Sequence, residues 1–297
     1  MTGTDYLNLL IAALLLAGIY AAMSVGMTVI YGVMKIVNLS HAGILMMGAY
    51  FDYELVEHFH LDPILGAVIA LPVFFVFGMI IHVVLVRWLP KSDTPTLSSL
   101  LLMFGFWLVL QNIGYLVWGN EEKSILTPRT FSVLQFGEIS VSTLRLVVFV
   151  AAVISMALLQ WILNHTWFGR SMRALIQNPY AAQLVGVDDE KTARLTFGLG
   201  TAFAGFAGSL LAMIYSFTPD FGRPFLLRAF VIIVLGGLES VSGVALGAVV
   251  VALVETFSII KIPSGYQPAI AFGLLVVVLV FMPKGIAGLL AYRRRTA

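Results

Sequence analysis

About eight stretches of this chain are long and apolar enough to be buried in a bilayer, and little sequence is left over. They fall at about 7–33, 41–57, 63–88, 97–118, 143–164, 195–217, 227–258 and 266–284. A helical span needs about 20 apolar residues. These runs are apolar on all sides rather than striped, as in helices surrounded by lipid and by one another. None alternates with the two-residue period of a barrel strand. Only 11% of the 297 residues are charged, against roughly 25% in soluble domains. The expected fold is all-α: a polytopic integral membrane helical bundle forming a single transmembrane domain over 1–297. The opening MTGTDYLN lacks the basic region of a signal peptide, and the run after it is too long for one, so it is expected to be retained as a span. The absence of cysteine excludes thiol and disulfide chemistry. A net charge of +2 gives no footing for nucleic acid.

Lysine and arginine set the orientation. Arg170, Arg173, Lys191 and Arg194 follow the fifth run, and Lys284, Arg293, Arg294 and Arg295 follow the last. Both groups are expected in the cytosol, with Arg87 and Lys91. The acidic stretch 52–62 and the loop 119–142 then face outward. Lys123, Arg129 and Lys261 fall on the outer side in this scheme. Segment 227–258 must begin and end outside, so it cannot be one simple span. Its centre, Gly236-Gly237-Leu238-Glu239-Ser240-Val241-Ser242-Gly243, is rich in glycine and polar groups. A broken or re-entrant helix pair is expected there. Irregular backbone at membrane depth survives only inside protein or along a wet cavity. Gly236, Gly237, Glu239 and Ser240 are therefore candidates for a translocation path. Asn38, Ser40 and His41, at the mouth of the second run, either line the path or are structural. The second run itself either spans or re-enters.

The polar loop 165–194 is the largest ordered excursion from the bilayer that the sequence writes. Asn178-Pro179 reads as a helix start, because Asn caps and Pro suits the first turn. Gly186 suits the left-handed residue that ends a helix. Asp188, Asp189 and Glu190 sit where a new helix dipole favours negative charge. A short helix over 179–185, lying across the membrane surface, is expected. It either merely connects spans or docks a soluble partner.

Gly200, Ala204 and Gly208, with Thr201, Gly205 and Ser209, form two stripes of small residues that let helices approach closely. Gly243 and Gly247 form another such pair. Packing within one subunit is the ordinary reading, and an oligomer contact the other. His58, His60 and Asp62 match no ordinary zinc spacing. With Trp118, Glu121, Glu122 and Lys123 they are expected on the outer surface. Trp88 and Trp167 suit interfacial anchors. Gln111, Asn112 and Glu255 are either hydrated or paired. No HExxH, GxSxG or zinc motif is present, so no catalytic residue and no metal ligand is assigned. No GxxxxGK[ST] loop is present either, so an ATP-driven mechanism would keep its nucleotide on another chain.

Tyr180-Ala181-Ala182 followed by Gly186 resembles the EAA…G signature of ABC importer permeases. The wider text is similar to the branched-chain amino acid permease family. The matching phrases are GMTVIYGVMKIVNLSH (26–41), MMGAY (46–50), GRSMRALIQNPYAAQLVGV (169–187), LTFGLGTAFAGFAGSLLA (195–212), VLGGLESVSGVALGAVVVALVE (234–255) and AIAFGLLVVVLVFMPKGIAG (269–288). Tyr180 stands where the family often has Glu. Asn38-Leu39-Ser40-His41-Ala42-Gly43 stands where it tends to read N-x-x-H-G-E, without the carboxylate. The resemblance implies a non-enzymatic permease in a bacterial-type inner membrane, with a cytosolic C-terminus. It implies translocation of a branched-chain or other amino acid. Arg173, Pro179, Tyr180, Ala181, Ala182 and Gly186 would dock ATP-binding subunits. This chain would carry no cofactor, with ATP on the partner subunit. An extracytoplasmic solute-binding protein and a second related permease are implied, the latter as a heterodimer, with a homodimer left open. The competing reading is a self-sufficient secondary transporter or channel for a small amide or amino acid. Such proteins place ionisable groups deep in the membrane, yet runs 63–86, 146–159 and 269–282 hold almost none beyond His82.

Overall fold

A computed structural model describes residues 3–89, 95–263, 266–281 and 285–286. The apolar runs become helices: α1 (Gly3–Met34), α2 (His41–Phe59), α3 (Pro63–Val84), α4 (Pro95–Trp118) and α5 (Thr143–His165). Two short helices follow, α6 (Trp167–Gln177) and α7 (Pro179–Leu184). The chain continues with α8 (Asp189–Ala212), α9 (Gly222–Gly236), α10 (Val241–Ser258) and α11 (Gln267–Phe281). Local chemistry sets several starts. The side chains of Asp62, Ser142 and Ser240 each accept a hydrogen bond from a first-turn amide of α3, α5 and α10, satisfying donors that a helix cannot satisfy itself.

Among the described residues, six helices are long and apolar enough to cross a membrane: α1, α3 with its 3-10 extension to Trp88, α4, α5, α8 and α10. The expected count was about eight. α2 carries Asp52, Glu54 and Glu57, and α9 and α11 have 15 residues each, about 22 Å of rise. The C-terminal tail, including Lys284 and Arg293 to Arg295, lies outside the described residues, as does Lys91.

α8 forms the axis of the bundle. From Thr196 to Ala212 every residue is buried, against α1, α2 and α3. Its two small-residue stripes are spent within the chain. A Cβ on Gly200 would meet Ile30 Cγ1 at 2.5 Å, and one on Gly208 would meet the carbonyl oxygen of Leu45 at 2.0 Å. Ser209 Oγ donates to the Gly48 carbonyl at 3.0 Å. Backbones at this distance leave no room for side chains.

The bundle has two distinct ends. One carries α6, α7, the C-terminus of α1 and the N-terminus of α8; we call it the loop end. The other carries the start of α1 and the 119–142 segment, joined by Thr4 Oγ1 donating to Glu138 at 2.8 Å. That segment contains a hairpin absent from the sequence expectations, β1 (Val133–Phe136) paired antiparallel with β2 (Ile139–Ser142). Gly137, at φ +64°, makes its two-residue turn, where left-handed geometry follows the strand twist.

Two features depart from simple crossings. Lys35 ends α1 in a left-handed conformation (φ 56°), and residues 35–40 turn back into the bundle. α2 therefore begins beside Met23, about 11 residues short of the end of α1: His41 Nε2 lies 2.7 Å from the Met23 carbonyl. In the second, segment 227–258 is broken at 237–240. α9 and α10 pack as a helical hairpin, Gly236 against Gly243 and Gly247 against Ile232. The expected helix pair is thus present, with its turn at the loop end.

Candidate functional site

The loop end is built by caps. Thr166 Oγ1 accepts from the Gly169 amide at 3.1 Å and starts α6, which buries Met172 and Leu175. The Arg170 guanidinium lies 4.4 Å from the Trp167 ring centroid, a cation–π contact at an exposed edge. Arg173 donates to the Leu163 carbonyl, one of the last unpaired carbonyls of α5. Asn178 Oδ1 accepts from the Ala181 amide at 3.1 Å and Pro179 fills the first position of α7.

α7 then stops in a Schellman turn. The Val187 amide donates to the Ala182 carbonyl and the Gly186 amide to the Gln183 carbonyl, both at 3.0 Å. Gly186 sits at φ +84°, the left-handed position this motif requires. Asp188 Oδ1 accepts from the Lys191 amide at 2.8 Å and starts α8. Gln183 Nε2 donates to Asp189 Oδ2 at 2.9 Å, and Arg87 pairs with Glu190 at 3.0 Å. The sequence expectation of helix, tight stop and new helix is what the backbone does.

This rigid loop presents an apolar tip. Tyr180, Leu184 and Val185 are 72%, 73% and 79% exposed, while Ala182 is buried and Ala181 is open. Leu184 and Val185 were missed by sequence reasoning, although exposed apolar side chains flanking a terminating glycine are a readable signal.

The path candidates fall into two sets. Asn38, Ser40 and His41 have no exposed surface. Ser40 Oγ donates to Asn38 Oδ1 at 2.6 Å. Among the described residues, Asn38 Nδ2, His41 Nδ1 and Thr28 Oγ1 are buried without a hydrogen-bond partner. Gly236, Gly237, Glu239 and Ser240 form the α9–α10 turn, with Gly237 at φ +106° and Ser240 capping α10. Glu239 pairs with Lys35. This bridge joins the turn to the start of the 35–40 connector.

At the opposite end several polar groups are paired. His58 and Trp118 Nε1 both contact Glu54, at 2.8 and 2.5 Å. Asp62 pairs with Arg129 at 2.8 Å. Gln111 and Tyr115 both donate to Asp220. Glu255, buried in α10, accepts from Tyr20 Oη at 2.5 Å and from Arg228 Nε at 2.9 Å. Sequence reasoning passed over Arg228, an arginine inside an apolar run.

The apolar helices and the capped polar loop define a helical membrane bundle. Residues 9–281 match the profile of the branched-chain amino acid transport system / permease component family, and the chain belongs to that family. It is 31% identical to the high-affinity branched-chain amino acid transport system permease protein BraD of Pseudomonas aeruginosa, over 95% of this chain and 96% of that one. It is 28% identical to the corresponding protein LivH of Escherichia coli K12, over 92% of each chain. It is 25% identical to the system's permease protein LivM from the same strain, over 90% of this chain and 67% of that one. No solved structure matches.

Proposed function

We propose that this chain is the membrane-spanning permease subunit of an ABC importer that moves branched-chain amino acids. In this reading it is one transmembrane domain whose loop 165–194 lies in the cytosol. A separate pair of ATP-binding subunits grips Arg173, Pro179, Tyr180, Ala181, Ala182 and Gly186, and Leu184 and Val185 join that contact. An extracytoplasmic binding protein delivers solute to the opposite end. The chain's likeness to both LivH and LivM supports pairing with a second, related permease. The observation that carries the reading is the family match along 9–281 together with a capped loop whose apolar tip is left uncovered. Exposed apolar groups held on a rigid element are how docking surfaces are built.

The loop is mechanically continuous with the interior. Asp188 links the α7 turn to α8, and α8 touches α1, α2 and α3. A push on α7 therefore reaches the 35–40 connector, which carries Asn38 and Ser40 and leads into His41, and through the Lys35–Glu239 bridge the turn of Gly236, Gly237 and Ser240. In this reading they form the inner gate. Closure of the ATPase pair selects between two packings of the bundle.

Vesicles containing this chain, its partner permease and the ATPase chain are the test. Leucine should accumulate only with ATP and loaded binding protein. Uptake by this chain alone on an ion gradient would overturn the reading. Because the chain has no cysteine, Gln183→Cys can be labelled cleanly. An impermeant thiol reagent should fail to label it in intact cells and should label it in inverted vesicles.

A further inference from the structure

The buried charges of the end opposite the loop face a cavity. It has a volume of about 450 Å³ and lies between the first half of α1, the start of α5, residues 214–215, α9 and the end of α10. Sites for small molecules usually measure roughly 300–1,000 Å³. Leu16, Ile19 and Phe225 give it apolar walls, and Tyr20, Tyr215, Arg145, Arg228 and Glu255 give it polar ones. Glu255 is 3% exposed and the Arg228 side chain 14%. A lone buried charge is expensive, so each needs the other.

The pair leaves hydrogen-bonding capacity on both partners. Arg228 uses Nε on Glu255 and one Nη1 proton on the Pro224 carbonyl, the latter at 3.4 Å. A guanidinium has five donors, so three are left. Arg145, across the cavity, makes no side-chain hydrogen bond or ion pair among the described residues. Tyr215 lines the same cavity as Arg145, Arg228 and Glu255. The walls thus carry two guanidinium groups against one carboxylate, with Arg228 and Glu255 buried and Arg145 exposed at the rim.

We propose that this cavity is a binding station for an α-amino acid zwitterion with an apolar side chain, its carboxylate on Arg145 and Arg228. Its ammonium group lies against Tyr215 and the remaining lone pairs of Glu255, and its side chain fills the space beside Leu16, Ile19 and Phe225. Both signs of charge within one apolar cavity fit a zwitterion better than a lipid phosphate, which needs cations alone. The proposal rests on the importer reading and names where solute is held.

The test uses the assembled transporter in vesicles with loaded binding protein. Arg145→Gln removes the open guanidinium and leaves the Arg228–Glu255 pair intact. Leucine moved per ATP hydrolysed should fall about tenfold or more, the scale of one lost charge-assisted hydrogen bond. Arg145→Lys should recover part of it, which a purely structural role would not. Ala12→Trp, on the cavity wall, should block uptake while the subunits still copurify. If both Arg145→Gln and Ala12→Trp transport like wild type, the station is wrong while the importer reading stands. If the wild-type assembly shows no ATP-driven uptake, the importer reading itself fails. A phospholipid that copurifies with wild type and is lost in Arg145→Gln, with leucine transport unchanged, would also overturn the station.

Discussion

Gly186→Val isolates the loop turn from everything else in the molecule. Gly186 holds φ +84°, and nothing lies within 4 Å of where its Cβ would be. The Cβ therefore meets no neighbour, and the cost falls on the backbone. Left-handed geometry costs an L-residue about 1–2 kcal/mol, and a β-branched residue is the worst case. That reduces the native turn by a factor of about 5–30 relative to its alternatives. Docking that needs the native turn weakens by the same factor, because only the competent fraction binds. The assay is a titration of the ATPase chain onto the purified permease, with leucine uptake per ATP as the second readout. The apparent Kd should rise about 5–30-fold, and uptake per ATP should fall with it. The melting temperature should barely move, since the core is untouched. Gly186→Asn should lie between, because Asn tolerates this geometry. Equal docking by Val and wild type would refute the reasoning. So would a large drop in melting temperature with no difference between Val and Asn, which would put the effect in folding rather than in the turn.

Other outcomes follow from the same geometry. Asn178→Ala removes the cap of α7 and should cost about 1 kcal/mol of local stability, seen as faster amide exchange at Ala181 with little change in global melting. Gly208→Leu should prevent α8 from closing on α2, because even a Cβ would stand 2.0 Å from the Leu45 carbonyl oxygen; overpacking of this kind costs about 1–3 kcal/mol or more, read as a lowered melting temperature in detergent. Glu255→Ala strands Arg228 and should destabilise by about 3–5 kcal/mol, whereas Glu255→Ala with Arg228→Met should recover much of it; equal melting of single and double variants would contradict the buried pair. Trp118→Ala removes a half-buried ring stacked 4.3 Å from Tyr50 and should cost about 1–2 kcal/mol by the same measurement, below the roughly 3–5 of a fully buried ring.

Much of this architecture is readable from short-range chemistry. Asn178-Pro179 and Gly186 carry their own backbone instructions, so α7 and its stop can be located without a fold. The break at 237–240 was legible because charge placement forbade a single span and glycines stood at its centre. The small-residue stripes announced close helix contacts but not their partners, which depend on how α1, α2 and α3 surround α8. The depth at which α2 begins was not legible, because the turn at Lys35 uses a residue type that gives no left-handed signal. Arg228 and Glu255 stand 27 residues apart. Only the folded α9–α10 hairpin makes them partners, so each alone reads as an isolated charge. The 133–142 hairpin had a local signal, alternating residues around Gly137-Glu138, masked by its brevity amid so much apolar helix.

Between its buried Phe197, Leu199, Phe203, Phe206, Leu210 and Leu211, α8 offers its neighbours two stripes of glycine, alanine, serine and threonine, with no long side chain along them. Two helices meeting through such smooth surfaces can swivel or slip without any rotamer having to jump. α8 is thus built like an axle: stiff along its length, yet low in friction against what surrounds it. Torque applied at Asp188 would turn the neighbouring helices as whole bodies rather than bending any one of them.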